Sequence, residues 1–422
     1  MNCESFGSCG SCTLGKPYED QISYKKRLIS DKFREFFDGE FEFFASNPQN
    51  YRIRAEFGIW HDIWHSAFDL AYTMSGARSK KILINECPKV ALPIANLMPR
   101  LLEALRRSEA LKERLFGVEF ISCASGILAT LLYHKHLGER EQVAICELAD
   151  KLGITIMARA RGQKLLSGEL SLTDELCVDG RVYKFRFGEN AFIQPNRGVN
   201  EKMITWARSC VDFGKKGMGG VCAAQNFAAQ NFIAENFTAQ NSRHEQSAVQ
   251  NSSCEKHAVC PESSAARDLL ELYCGHGNFT IPLAAKFNRV LASEISKSSI
   301  ANARINCELN GVCNAQFVRL SADELMSAFA RRREFERLKG IDIFSYDFSH
   351  VLIDPPRAGL EPSVIDFIKN FQNLIYISCN PQTLFENLRS LCATHEVRRF
   401  AIFDQFAHTA HIECGVLLRR RS

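Results

Sequence analysis

The part of the sequence from residue 268 to the end places the strongest limits on the fold. Short apolar runs alternate there with helical stretches, and the runs cover 269–272, 290–292, 317–320, 351–353 and 374–377. Runs of this kind are typical of parallel strands that helices cover on both faces. Two further runs, 397–403 and 416–418, have no helix between them. The sequence therefore predicts an α/β fold in which a doubly wound sheet ends in an antiparallel hairpin.

A sheet that closes in this way is typical of class I (Rossmann-like) methyltransferase domains. The preceding 190 residues have a mixed pattern of helical and strand-like segments: 18–37, 52–57, 94–105, 127–133 and 181–187. We predict an N-terminal α+β region over 1–190 and a methyltransferase domain formed by 191–213 and 267–422.

Residues 214–266 interrupt this pattern. Asn-Phe pairs recur there every five residues from 226 to 237, and Ser, Asn, Gln and Glu follow. Four Lys and Arg residues balance four Glu residues, so the stretch is not a basic arm for phosphates. Its low aliphatic content predicts a disordered insertion, with a short pentapeptide solenoid as the alternative. Cys254, His257 and Cys260 within it lack a second pair and make a weak zinc candidate.

A glycine-containing turn follows the first strand of the predicted sheet. The sequence from Leu269 to Phe279 reads LLELYCGHGNF, which indicates a strand, a Gly-x-Gly turn and the start of a helix. The third glycine of the dinucleotide fingerprint is absent. Glu294 ends the second strand, where an acid would bind ribose hydroxyls, although an ordinary surface Glu beside a helix cap is the alternative. The turn therefore favours S-adenosylmethionine over NAD.

Two further strands end in residues suited to chemistry. Asp354-Pro355-Pro356-Arg357 follows the fourth strand, and Asp354 is a candidate for binding the cofactor or a target base, or for capping the next helix. Cys379 leaves the fifth strand toward the same edge, before a proline turn. A thiolate there could add to C6 of a pyrimidine and make C5 nucleophilic.

The removal of the C5 proton then needs a base. Glu413 enters the last strand in a stretch rich in aromatic residues and histidine, where desolvation could raise its pKa. A metal site formed by His408, His411 and Glu413 is the competing interpretation, although the spacing matches no zinc pattern.

With these motifs the chain resembles the RNA uracil-5-methyltransferase family, and most closely its tRNA-modifying branch. The resemblance rests on 269–279, 351–359, 376–381 and 403–418. It extends to YRIRAEFGIWHD (51–62) and 132–135, which resemble the family's RNA-facing N-terminal region, so it implies that the region over 1–190 is RNA-binding. It implies methylation of uridine 54 in the T-loop of tRNA, with Cys379 as nucleophile and Glu413 as proton acceptor. It also implies a set of residues that bind S-adenosylmethionine: Gln194, Tyr273, Asn278, Glu294 and Asp354.

The N-terminus carries a second candidate site. Cys3, Cys9 and Cys12 form a C-x5-C-x2-C set, which suggests a zinc or iron–sulfur site, and Cys87 before Pro88 is the candidate fourth ligand. The rRNA-modifying branch of the family has a similar set that binds a [4Fe–4S] cluster, so the resemblance implies such a cluster here. The alternative is a disordered, reduced tail.

Composition limits the remaining choices. No apolar run is long enough for a membrane helix, and 17 cysteines in a chain without a signal peptide predict a reducing, cytoplasmic compartment. The net charge of +4 permits an anionic partner. We expect tRNA, with tmRNA as a further T-loop substrate, and neither DNA nor a membrane. The rivals are an rRNA uridine-5-methyltransferase and a non-catalytic RNA-binding or RNA-folding protein.

Residues that could contact RNA are aromatic or arginine residues near the predicted site. They are Arg52, Arg54, Phe57, Trp60, Arg159, Arg161 and Arg357.

Overall fold

The computed structural model describes residues 3–61, 70–76, 80–170, 172–188, 192–213, 261–262 and 266–421. The predicted insertion, 214–266, lies almost wholly outside this part of the chain, as do Cys254, His257 and Cys260. The prediction of disorder there therefore stays a prediction.

The helices are α1 (Tyr18–Phe33), α2 (Leu92–Arg107), α3 (Glu109–Lys112), α4 (Glu139–Leu152), α5 (Arg197–Asp212), α6 (Thr280–Leu283), α7 (Lys297–Asn310), α8 (Ala322–Phe329), α9 (Pro362–Ile368) and α10 (Pro381–Leu391). The strands of the N-terminal half are β1 (Phe41–Phe44), β2 (Arg54–His61), β3 (Leu70–Ser75), β4 (Lys81–Ile84), β5 (Leu115–Cys123), β6 (Gly126–Tyr133), β7 (Thr155–Ala160), β8 (Gln163–Leu166), β9 (Leu172–Val178) and β10 (Arg181–Phe187). Those of the C-terminal half are β11 (Ala266–Leu272), β12 (Phe287–Ser293), β13 (Ala315–Val318), β14 (Phe348–Ile353), β15 (Asn373–Ser378), β16 (His395–Phe403) and β17 (Glu413–Arg420).

The C-terminal half forms an eight-stranded sheet in the order β1-β16-β17-β15-β14-β11-β12-β13. Strands β11 to β15 pair in parallel, whereas β17 is antiparallel to both of its neighbours. The predicted doubly wound sheet and its C-terminal hairpin are therefore confirmed.

Successive residues of a central strand pack into different apolar cores because side chains alternate between the two faces of a sheet. Leu352 of β14 and Ile375 of β15 belong to one core, while Val351 and Leu374 belong to the other. This explains why these strands are mostly apolar.

Strand β1 extends the eight-stranded sheet and helix α1 packs against it, which corrects the prediction that 1–190 forms a separate N-terminal region. Strand β1 pairs in parallel with β16, with Phe41 opposite Phe400 and Phe44 opposite Phe403. Phe33 of α1 is fully buried, and its ring centroid lies 4.9 Å from that of Phe400. The segment 1–190 therefore contributes strands both to this eight-stranded sheet and to a second, seven-stranded sheet.

The remaining N-terminal strands form a seven-stranded sheet in the order β4-β3-β2-β5-β6-β7-β8, beside the two-stranded pair β9–β10. One face of the seven-stranded sheet packs against α2, whose residues Ile94, Leu97, Met98 and Leu101 are buried at helical spacing. The predicted α+β architecture is present in this part of the chain. No helix among the described residues has the length and apolarity needed to span a bilayer.

Candidate active site

Three neighbouring strand ends bring the predicted catalytic residues together. Ile353 pairs with Tyr376, so Asp354 and Cys379 leave parallel strands at the same edge. Ser378 pairs with Cys414 in the antiparallel ladder, and the next register position sets Cys379 opposite Glu413. The register of the sheet therefore juxtaposes the candidate nucleophile and the candidate base.

Cys379 is half-buried at this edge. Burial raises the pKa of its thiol, and the negative charges of Glu413 and Asp354 raise it further. The Arg357 guanidinium opposes them, because its charge and its hydrogen bond to the Cys379 sulfur both lower this pKa. Arg357 is the cation that favours the thiolate.

The position of Arg357 is fixed by its surroundings. Its Nη2 lies 3.2 Å from Nδ1 of His411, and its carbonyl oxygen accepts a hydrogen bond of 3.0 Å from Nδ2 of Asn380. Sequence reasoning named Arg357 only as an RNA contact and missed its place beside the thiol. Its position directly after the two prolines, which hold the turn rigid, was the available signal.

Glu413 is 6% exposed at the start of β17. Burial raises the pKa of its carboxyl to about 8, the charge of Asp354 raises it too, and Arg357 lowers it. A carboxyl with this pKa can exchange a proton near neutral pH. The predicted effect of desolvation on Glu413 is therefore present.

The alternative metal site at His408, His411 and Glu413 does not form. His408 is engaged by Gln21 through Nδ1 at 3.0 Å and by the Pro48 carbonyl through Nε2 at 2.7 Å. In the described part of the chain, no group of three or more His, Cys, Asp or Glu side chains stands in a metal-holding arrangement.

The glycine-containing turn after β11 adopts backbone conformations that explain its composition. Gly275 and Gly277 have φ values of 57° and 90°, and a Cβ on Gly277 would lie 3.1 Å from the Ile281 side chain. Tyr273 also has a positive φ of 61°, which is strained for an aromatic residue and marks a functional turn.

Glu294 lies beside this turn. Its Oε2 accepts from the Gly275 N–H at 3.2 Å, and its Oε1 accepts from the Ser296 N–H at 2.8 Å. The second contact places Glu294 beside Ser296, whose own side chain caps α7, and the first attaches the carboxylate to the turn.

Gln194 and Asn278 line one narrow cavity, together with His276 and Asn200. Asn278 and Asn200 exchange two side-chain hydrogen bonds of 2.8 and 3.0 Å. Gln194 accepts a bond of 2.9 Å from Nε2 of Gln405, which is fully buried. The amide groups that face this cavity are therefore held in fixed orientations.

Two carboxyl groups interact close to the ends of β11 and β14: Glu271, which is buried, and Asp354, which is partly buried. Burial raises the pKa of Asp354 to about 7. Burial also raises the pKa of Glu271 to about 8, and its Oε2 accepts a bond of 2.7 Å from the Thr280 hydroxyl. Glu271 escaped sequence reasoning because it lies within an apolar strand, although a lone acid in such a run was a signal.

The four cysteines of the predicted cluster converge. Cys3, Cys9, Cys12 and Cys87 line a single cavity of about 450 Å³. Burial raises the pKa of Cys12, while the neighbouring Lys89 lowers it. The four thiols thus share one cavity, and Lys89 lies beside two of them, Cys12 and Cys87, although the four are not in a ligand arrangement.

The outer face of the seven-stranded sheet exposes aromatic rings. Trp60 is 43% exposed with the Lys81 ammonium 5.5 Å from its ring, and Phe116 stacks on His134 at 3.8 Å. Phe57, by contrast, is buried in the core, so its prediction as an RNA contact is wrong. Arg159 is paired with Glu119 at 3.0 Å.

Comparisons with known proteins agree with this geometry. The model of the tRNA (uracil-5-)-methyltransferase family matches residues 17–239 and 229–421. A tRNA/tmRNA (uracil-C(5))-methyltransferase of Campylobacter concisus (strain 13826) is 54% identical over 422 residues, which is 100% of each chain. The protein of that name from Sulfurovum sp. (strain NBC37-1) is 41% identical over 425 residues, again 100% of each chain.

Among solved structures, the Pyrococcus abyssi tRNA (uracil-54, C5)-methyltransferase in complex with S-adenosyl-L-homocysteine is similar in fold. The TM-score is 0.64 at 18% identity, and the match covers 97% of this chain and 86% of that one.

Proposed function

Because the chain belongs to the tRNA (uracil-5-)-methyltransferase family, we propose that it transfers a methyl group from S-adenosylmethionine to C5 of uridine 54 in the T-loop of tRNA. The observation that carries the proposal is the placement of Cys379 and Glu413 at adjoining strand ends on the carboxyl edge of the sheet, with the Arg357 guanidinium beside the thiol. A uridine in a folded T-loop must be everted to reach this edge.

Cys379 supplies the nucleophile. Its thiolate forms a bond to C6, and the electron pair of the C5–C6 double bond moves toward C5 and the O4 carbonyl. Arg357 favours the thiolate before this addition, since its charge opposes the burial and the carboxylate charges that raise the pKa of the thiol. When bound, S-adenosylmethionine would supply an electrophilic methyl group; as C5 bonds to that carbon, the sulfonium–methyl bond would break and its electron pair would stay on sulfur, which leaves as the thioether of S-adenosylhomocysteine.

Glu413 completes the turnover. Its carboxylate accepts the proton from C5, the C5–H electron pair restores the C5–C6 double bond, and the C6–S bond breaks to release the Cys379 thiolate. The pKa of about 8 makes Glu413 a stronger base than an exposed carboxylate. Release of methylated RNA therefore depends on this residue.

We assign the cofactor to the glycine-containing turn and its neighbours. Gln194 and Asn278 face one cavity, where their fixed amides would bind polar groups of S-adenosylmethionine. Glu294 is attached to the turn at Gly275, in reach of a ribose. Tyr273 would pack on the adenine ring, and Asp354, just after β14, would bind a polar group of S-adenosylmethionine.

The RNA surface would be the outer face of the seven-stranded sheet. Exposed aromatic rings stack on unpaired bases, and nearby cations attract phosphates. Trp60 with Lys81, and Phe116 with His134, offer such rings. The proposed RNA partners are tRNA and, because it carries a comparable T-loop, tmRNA. The cytoplasm, where both RNAs occur, is the compartment that this function implies.

We also propose a [4Fe–4S] cluster at Cys3, Cys9, Cys12 and Cys87. The support is their convergence on one cavity and the buried Lys89, whose charge would offset the thiolates. Binding would require the thiols to move into a ligand arrangement. Anaerobic purification followed by iron analysis and visible absorption tests this, and absence of both iron and the charge-transfer band would refute it.

The deciding experiment measures methyl transfer from labelled S-adenosylmethionine to unmodified tRNA, tmRNA and rRNA transcripts. We expect transfer to the T-loop uridine of tRNA, and none with Cys379→Ala. Cys392→Ala is a matched control, because Cys392 follows α10 outside the site. Turnover retained in Cys379→Ala would refute covalent catalysis, and labelling of rRNA alone would refute the tRNA assignment.

A further inference from the structure

Residues 404–412 connect β16 to β17 and lead directly into Glu413. Phe403, the last residue of β16, pairs with Glu413, so the connection starts and ends beside the proposed base. Any change in the path of this connection would move the Glu413 carboxylate relative to Cys379. The contacts that fix the connection therefore bear on the site.

Helix α1 fixes the start of the connection through a buried ion pair. Nζ of Lys25 lies 2.6 Å from Oδ1 of Asp404, and neither side chain is exposed. The same ammonium donates to the Phe406 carbonyl oxygen at 3.2 Å. The Tyr18 hydroxyl donates to Oδ2 of Asp404 at 2.8 Å and accepts from the Ser46 N–H at 2.8 Å.

The same helix also holds the middle of the connection. Oε1 of Gln21 accepts from the His408 N–H at 2.9 Å, and its Nε2 lies 3.0 Å from Nδ1 of that ring. His408 has a positive φ of 65°, a conformation that needs such support in a residue other than glycine. The Tyr51 hydroxyl donates to the Ala407 carbonyl oxygen at 3.0 Å.

Burying these charged and polar groups costs free energy unless each of them has a hydrogen-bond or ion-pair partner. A lysine and a carboxylate without solvent contact lose their hydration, and burial lowers the pKa of Lys25 while Asp404 opposes that shift. Exposed α1 residues such as Lys26 lie outside this network. A polar network of this kind defines one conformation of the segment it binds.

We infer that Lys25, Tyr18 and Gln21 are positioning residues, which hold the 404–412 connection so that Glu413 faces the adduct formed at Cys379. The inference rests on the proposed function. A helix at the N-terminus thus acts on the last chemical step through a connection 379 residues away in sequence.

The test separates methyl transfer from release of the methylated RNA. Lys25→Met is compared with Lys26→Met, an exposed neighbour on the same helix, in single-turnover assays with labelled cofactor. We expect Lys25→Met to transfer the methyl group, to accumulate a denaturation-resistant protein–RNA adduct, and to lower kcat about tenfold or more with KM within about twofold. Lys25→Arg should restore part of kcat.

Tyr18→Phe keeps the ion pair and removes only one hydroxyl, so it decides the matter if Lys25→Met does not fold. It should show the same adduct with a smaller loss of kcat. Release as fast as in Lys26→Met, or a loss confined to KM, would overturn the positioning role. A wild-type chain that methylates no tRNA would instead refute the proposed function, so the two failures are distinguishable.

Discussion

The buried carboxyl of Glu413 links chemistry to stability at the scale of one residue. Its pKa of about 8 in the folded chain exceeds the value in the unfolded chain. Between about pH 4.5 and pH 8 the unfolded state therefore binds fewer protons, and the free energy of unfolding falls as pH rises. A base strong enough to remove the C5 proton is thus a residue that destabilises the fold at neutral pH.

Glu413→Gln should reverse this effect. We expect the variant to gain stability relative to wild type as pH rises from about 5 to 8, by no more than about 1.4 kcal/mol per pH unit. Urea denaturation at several pH values measures it, with Glu386→Gln, at an exposed site, as control. The RNA adduct should persist in Glu413→Gln. Parallel pH profiles for wild type and variant would contradict the raised pKa.

Arg357 is predicted to act on the thiol. Replacing it by Gln removes the charge and the hydrogen bond that lower the pKa of Cys379, so that pKa should rise. We expect the pH profile of adduct formation to move to higher pH, and the rate at pH 7 to fall about tenfold to a hundredfold. Arg357→Lys keeps the charge but not the planar donor group, so its pH profile and its rate should lie between those of wild type and Arg357→Gln. An unshifted profile would contradict this role.

At the scale of elements, α1 is part of the catalytic core. Phe33 is fully buried among Phe36, Phe385 and Phe400. We expect Phe33→Ala to lower the free energy of unfolding by about 3–5 kcal/mol. Urea denaturation measures this loss of stability, and a methyl transfer assay shows its effect on activity.

Leu28→Ala, on an exposed position of the same helix, serves as the control and should change stability by less than about 0.5 kcal/mol. Equal effects of the two substitutions would show that α1 does not support the catalytic sheet.

The sequence predicted the parallel strands and their polar ends correctly, because burial on both faces leaves an apolar signal. It did not predict that β1 extends the sheet. That strand is four residues long, and its partner is distant: Glu42 of β1 and Arg399 of β16 form an ion pair 357 residues apart. Local patterns carry no information on such pairings.

The candidate site shows the same limit. Cys379 and Glu413 were predicted from strand ends and from the family resemblance, whereas Arg357, Glu271 and the α1 network depend on distances that only the fold supplies. The burial of Phe57, which rules it out as an RNA contact, is already visible in the sequence. Arg54 and Glu56 alternate with it along β2, so the period of two already directed Phe57 to the buried face.

At the scale of the whole molecule, the ends of the predicted insertion are tied together. Nζ of Lys286 lies 3.0 Å from Oδ2 of Asp212 and 2.9 Å from Oε2 of Glu262. Asp212 ends α5 just before the insertion, and Glu262 lies near the end of the insertion, ahead of β11. One side chain thus bridges the two boundaries, so a short linker can replace the residues between them.

We therefore expect a chain in which a short Gly/Ser linker replaces residues 214–260 to fold and to methylate tRNA with kcat/KM within about twofold of wild type. Loop-closure entropy varies only slowly with length, and each halving of the loop gains about 0.6 kcal/mol, so stability should be equal or slightly higher. Lys286→Met in the shortened chain is the matched control, because it removes the bridge and should lower stability. If kcat/KM fell severalfold while kcat and cofactor affinity were kept, residues 214–260 would contribute to RNA binding, and the view of the segment as a tolerated surface insertion would be wrong.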